Sequence, residues 1–313
     1  MRYPNFDLLR LLLAVEVAVV HAWYETDPKF DWPGFIMAVP AFLAISGVLV
    51  LKSYDETGSW RLFVVKRLLR ILPALAVSML LCWALFDLFA VGNSMLNWLT
   101  GGIFTLPGVA NGPLWSLAWE ELAYALLAVL WTCGAYRRPW IIWSLLAAAF
   151  LGVHLGKGLR PHDQMILMLA PAFFIGNLAY LHRRILLKTP SLVPWAFLFA
   201  VICADSLPWF RDLVRLSPVA FQSFAVVWVG MAGACAAPFR FPDLSYGIYI
   251  FHMPLILYLV RSKLVTTTAE IALVLPLPLL AIAMLSWRFV EEPALRRKPK
   301  ARAPEVGAPV AGV

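Results

Sequence analysis

Apolar residues fall in ten blocks of near-constant length, at 6–24, 33–53, 72–91, 113–135, 139–156, 164–182, 192–209, 217–237, 243–262 and 269–289, each bounded by charge, proline or glycine. A helix that crosses a bilayer needs about 20 mostly apolar residues, so each block predicts one span. The weakest is 192–209, which carries Asp205 and is bracketed by Pro194 and Pro208. A further apolar stretch, Leu96–Val109, holds Gly101, Gly102 and Pro107 and is too short to cross. It predicts a re-entrant or surface segment. The pattern as a whole predicts an all-α polytopic membrane protein with about ten transmembrane helices.

Composition agrees and narrows the class. Of 313 residues, 62% are hydrophobic and 14% charged, against roughly 45–50% and 25% in soluble domains. That excludes an ordinary soluble protein. The net charge of +8 is then read by sidedness, since a nucleic-acid partner would require a basic soluble surface. With the amino terminus in the cytoplasm, seventeen Lys and Arg fall in inner loops and seven in outer ones. Both termini are therefore predicted to be cytoplasmic. The first block is not a disposable signal peptide, because it contains Asp7, Arg10, Glu16 and His21. Cys82, Cys133, Cys203 and Cys235 fall within the blocks without metal or disulfide spacing and read as small core residues. No metal site is predicted, and 296–313 reads as a basic, Pro/Ala-rich disordered tail.

Charge inside a membrane costs on the order of 2.5–3.5 kcal/mol per group at mid-span, so the few such groups mark a cavity or chemistry. Arg10 and His21 are eleven residues apart. At 100° per residue they return to within about 20° of one face, roughly 16 Å apart along the axis. Asp7 can pair with Arg10 across one turn. His21 has the side chain that takes and returns a proton near neutral pH, as a general base for a hydroxyl requires. Glu16 points elsewhere, and its partner is not readable. The alternative for His21 is a ring held at the outer interface beside Trp23 and Tyr24.

The segment Trp60–Pro73 is a basic inner helix in which Arg67 and Arg70, three apart, converge on one patch suited to phosphate oxygens or to lipid headgroups. In the fourth block, Pro113 starts a helix on which Ser116 and Glu120 share a face, with Glu121 turned away. In the ninth, Ser245, Tyr249 and His252 form one stripe, for substrate or for interhelical hydrogen bonds. Outer aromatics, Trp23, Tyr24, Trp32, Trp98 and Trp115, suit either an interfacial belt or stacking on sugar rings.

Taken in order, these stretches resemble the acyltransferase-3 family of integral membrane O-acyltransferases. The similarity is carried by Phe6-Asp7-Leu8-Leu9-Arg10 with His21, and by Phe42-Leu43-Ala44-Ile45-Ser46-Gly47. It continues in Lys66-Arg67-Leu68-Leu69-Arg70-Ile71-Leu72-Pro73 and in Asn111-Gly112-Pro113-Leu114-Trp115-Ser116-Leu117 with Glu120. Ser245–Tyr249 with His252-Met253-Pro254, and Arg288–Pro293, complete it. The resemblance implies a family transmembrane domain over 1–295 and transfer of an acyl group, usually acetyl, from cytoplasmic acyl-coenzyme A to a hydroxyl of a glycan or lipid-linked saccharide. Acyl-coenzyme A would be a co-substrate, with no permanently bound cofactor. It implies that His21 is catalytic, with Glu120, His252 or Glu16 orienting its ring. Arg10, Arg67 and Arg70 would serve the donor; Trp115, Ser116, Tyr249 and His252 would bind substrate or support the site. The setting implied is a bacterial cytoplasmic membrane, with membrane lipids as neighbours. Two departures stand out. Pro40 occupies a position that is often acidic in the family, and no outer esterase-like domain follows Pro293, so a second transfer step is expected to need a separate protein. A saccharide transporter or flippase, and a non-catalytic scaffold, are the competing classes.

Overall fold

The computed structural model describes residues 3, 5–29, 35–57, 59–104, 106–205, 207, 217–233 and 242–297. All regular structure among them is helical: α1 Asn5–Thr26, α2 Ala38–Thr57, α3 Trp60–Leu85, α4 Leu88–Leu99, α5 Trp115–Thr132, α6 Pro139–Leu155, α7 Pro161–Leu181, the single turn α8 Arg183–Leu186, α9 Leu192–Asp205, α10 Ser217–Ala232, α11 Ser245–Arg261, α12 Thr268–Val274, α13 Pro276–Ser286 and, after a π-turn Trp287–Glu291, α14 Glu292–Arg296. Six segments are long and apolar enough to cross a membrane: α2, α3, Gly112–Thr132, Pro139–Gly158, α7 and the composite Thr268–Arg296. The other four blocks overlap α1, which has the length but carries Asp7, Arg10 and Glu16, and the shorter helices α9, α10 and α11.

Local chemistry sets the boundaries. The third block was expected at 72–91, yet α3 starts at Trp60 and absorbs the whole basic segment, running through Pro73. It stops where Asp87 caps the next helix by accepting from the Ala90 amide at 2.7 Å. Arg67 and Arg70 therefore sit in a long spanning helix and not in a separate surface helix. α4 takes the end of the expected third block and only Leu96–Leu99 of the short stretch, whose remainder turns at Gly101 and Gly102, both at positive φ (59° and 70°). Cys82 is buried as expected, whereas Cys133 and Cys203 are exposed on the helix surfaces. The tail beyond Arg297, Trp32 and Cys235 lie outside the described residues.

Two apolar clusters divide the bundle. One gathers α2, α5, α7, α9 and α10 around Phe173 and Leu51; the other gathers α1, α3, α11 and α13 around Phe251 and Ile256. Within the first, α2 and α7 touch backbone to backbone: a Cβ on Gly176 would stand 2.1 Å from the Ala44 carbonyl oxygen. Small residues permit this approach where lipid offers no hydrophobic drive. Leu8, Leu12, Val15 and Val19 of α1 are exposed at i, i+4, i+7 and i+11, the stripe a helix turns toward hydrocarbon. Its opposite side faces the seam between the clusters, where the polar residues collect.

Candidate active site

The amino-terminal parts of α1, α3, α5 and α11, together with α2, enclose an inner cavity of about 120 Å³. Arg10, Ser46, Arg67, Arg70, Ser116, Glu120, Tyr124, Tyr246 and Tyr249 line it. Its charge is organised by Asp243, just before α11. One oxygen of Asp243 accepts from Arg70 at 2.6 Å and from Arg10 at 3.1 Å, and the other accepts from Ser245 at 2.6 Å. Arg10 also pairs with Asp7 at 2.8 Å, the one-turn pair the spacing predicts. Arg70, Arg10 and the Ser245 hydroxyl together compensate the largely shielded Asp243 carboxylate.

Arg67 and Arg70 of α3 therefore differ. Arg70 is committed to Asp243 and lies 5.8 Å over the Tyr246 ring. Arg67 has its guanidinium 5.4 Å from Phe63 and 5.3 Å from Tyr124, and its buried Nε has no hydrogen-bond partner. Glu120 accepts from Ser46 Oγ at 2.5 Å and from the Tyr124 hydroxyl, which holds it in this cavity and away from His21.

On the other side of the seam, His21, Asn97, Trp115, Arg160, His162 and Met253 line a wider vestibule of about 560 Å³. The Gly101–Gly102 turn closes one wall, since a Cβ on Gly102 would meet His162 Nε2 at 2.6 Å. His162 stands edge-on to Trp115, ring centroids 4.7 Å apart. Between the two cavities, Tyr249 donates to the Pro113 carbonyl at 3.0 Å and shares a 2.6 Å bond with Ser116. Asn111 anchors the adjoining turn by donating to Ser78 and to the Ile250 carbonyl.

His21 Nδ1 lies 2.9 Å from the Val17 carbonyl oxygen and 3.3 Å from His252 Nε2. His252 is fully buried, with Nδ1 2.7 Å from the Tyr249 carbonyl oxygen. Carbonyl oxygens only accept, so both Nδ1 atoms carry the proton in the neutral rings. Nε2 of His252 is then an acceptor toward His21, and Nε2 of His21 is the basic nitrogen of a residue that lines the vestibule. Of the three residues considered for orienting His21, the structure brings His252 to it. Glu16 instead accepts from the Phe35 and Ile36 backbone amides.

Asp243 and His162 were not singled out in the sequence. Asp243 offered one signal, its place two residues before the α11 stripe; His162 sits at an exposed helix start where a polar residue is ordinary.

The profile of a family described as an acyltransferase domain, the acyltransferase-3 type, matches residues 3–288. Nodulation protein 10 of Rhizobium leguminosarum bv. viciae is 27% identical, over 93% of each chain. The O-acetyl transferase of Shigella phage Sf6 is 26% identical over 93% of this chain and 96% of its own. A putative acetyltransferase, ORF330, of Acidianus two-tailed virus is 22% identical over 80% and 82%. No solved structure matches.

Proposed function

The chain belongs to the acyltransferase-3 family, and from that premise we propose that this multi-pass membrane acyltransferase moves an acetyl group from cytoplasmic acetyl-coenzyme A to a hydroxyl of a glycan or lipid-linked saccharide. In this reading the ten apolar blocks span a bacterial cytoplasmic membrane with both termini inside. The inner cavity receives the donor's arm, the vestibule receives the acceptor, and the thioester meets the acceptor hydroxyl beside His21, where the Ser116–Tyr249 divider separates the two. The observation that carries it is the basic His21 Nε2 on the vestibule side of the Ser116–Tyr249 divider, opposite an arginine-lined cavity.

The chemistry is one displacement. The acceptor hydroxyl gives its proton to His21 Nε2 as its oxygen bonds to the thioester carbonyl carbon. The carbon–sulfur bond then breaks, and the imidazolium returns the proton to the departing thiolate. His252 holds the ring by accepting from Nδ1–H, and it has no polar contact of its own with the vestibule. Arg67, with an open Nε and a guanidinium in the cavity, is the residue best placed to meet the donor. Arg10 and Arg70 shape that cavity through Asp243. Similarity to the phage O-acetyl transferase supports both the acetyl group and the oxygen acceptor.

The test is release of free coenzyme A from acetyl-coenzyme A by the purified chain in detergent, with and without saccharide acceptor. Acceptor-dependent release is the expected outcome. Saccharide movement across a vesicle membrane without thiol release would instead make the chain a transporter.

A further inference from the structure

In the proposed reading the inner cavity of about 120 Å³ takes the thioester-bearing arm of the donor, and the donor's nucleotide needs a place of its own. A separate cavity of about 200 Å³ opens where the carboxy-terminal ends of α2, α5 and α7 meet, on the Arg67 side of the bundle. We propose that it is an adenine-nucleotide site: Trp131, Tyr136 and Tyr180 receive the purine, Asp55 accepts from its 6-amino group, and Arg137 and Arg183 take the phosphates. This inference rests on the donor reading above and supplies that donor's nucleotide anchor.

The sequence builds this corner deliberately. Gly134, in the left-handed region at φ 72°, ends α5 and folds Ala135–Arg137 back beneath it. Tyr136 thereby comes to 5.9 Å from the Trp131 ring. From α7, Tyr180 donates to Asp55 Oδ2 at 2.8 Å, and the Arg183 guanidinium lies 4.2 Å over the Tyr180 ring. Arg183 spends one nitrogen on the Tyr180 carbonyl, and Arg137 is exposed at the rim with no ion pair among the described residues. Aromatic faces stack any base, and guanidinium forks match phosphate oxygens. A carboxylate in the same pocket is the discriminating element. It opposes a bare lipid phosphate, whereas the amino group of adenine satisfies it.

The pocket also connects to the chemistry. Trp131 and Tyr124 are seven residues apart on α5, roughly 10 Å along its axis. Between them runs a ring-to-ring wall, Trp131 to Tyr54 at 5.3 Å, Tyr54 to Phe63 at 5.0 Å and Phe63 to Tyr124 at 6.1 Å, on which Arg67 rests. Trp131 of the pocket and Tyr124 of the inner cavity are thus the two ends of one aromatic stack.

The experiment uses the purified full chain in lipid-free detergent and equilibrium dialysis of adenosine 3′,5′-bisphosphate against its inosine counterpart, which lacks the 6-amino group. Saturable binding with adenosine preferred is expected. Arg137→Gln and Arg183→Gln should each weaken it roughly tenfold, and Asp55→Asn should abolish the preference. Arg137→Lys, with its size-exclusion profile, controls for folding and should retain more affinity than Arg137→Gln. Equal binding of the two nucleotides, wild-type affinity in both glutamine variants, or displacement by phosphatidylglycerol micelles with no base preference would overturn the site. Transfer assays separate the two ideas. If the glutamine variants use acetyl-coenzyme A with unchanged KM, the donor reading stands and the pocket falls. If adenosine bisphosphate binds as described but acetyl-coenzyme A never donates, the pocket stands and the donor reading falls.

Discussion

Replacing Asp243 with asparagine keeps the size of the side chain and removes the one negative charge that Arg10 and Arg70 share. The carboxylate is about four-fifths shielded, as are both arginines (side-chain exposures 18%, 22% and 17%). Removing one partner from a buried charged pair costs on the order of 3–5 kcal/mol, because the remaining charge loses its compensation. Two arginines lose it here, but Arg10 keeps Asp7 at 2.8 Å. A cost of about 3 kcal/mol is therefore expected, at the lower end of that range. The assay is reversible unfolding in mixed micelles, followed by tryptophan fluorescence, for Asp243→Asn, Arg70→Met and the double variant. A coupling of roughly 1–3 kcal/mol is predicted. A single-variant cost under about 0.5 kcal/mol, the scale of a surface change, or strict additivity in the cycle would refute the claim that Asp243 organises the inner cavity.

Two further outcomes follow from distances. His252→Ala should lower kcat on the order of 10²-fold through a misplaced His21 ring, with KM nearly unchanged. His252→Gln, which restores an acceptor, should recover part of it; steady-state kinetics against acceptor concentration decides, and an unchanged kcat would remove the positioning role. Gly176→Ala should cost about 1–3 kcal/mol or more, because its Cβ would press on the Ala44 carbonyl at 2.1 Å with no side chain to yield; a melting midpoint equal to wild type would contradict the close α2–α7 contact.

What could be read in the chain followed from local periodicity. The helical class and the inward placement of Arg10 and His21 rest on residues within one helix, where 100° per residue is a sufficient ruler, whereas α4 at Leu88–Leu99 was not foreseen. The Asp7–Arg10 pair is likewise local. Trp60–Pro73 was legible as a helix, but its continuity with the span that follows was not, because hydrophobicity marks where lipid begins, not where hydrogen bonding does. Partners across helices were out of reach. Nothing near Glu16 points to the backbone amides of Phe35 and Ile36. Glu120 looked free to serve His21 until Ser46, on α2, was seen to hold it together with Tyr124, one turn further along α5. Asp243 joins residues more than 170 positions away and becomes meaningful only when α1, α3 and α11 converge.

The central claim is that His21 Nε2 takes the acceptor's proton. The direct measurement is acetyl transfer from acetyl-coenzyme A to acceptor by His21→Ala and His21→Gln, with folding verified by size exclusion. A fall of roughly 10²–10⁴-fold in both is predicted, as for loss of a general base. Transfer at the wild-type rate in either folded variant would contradict it.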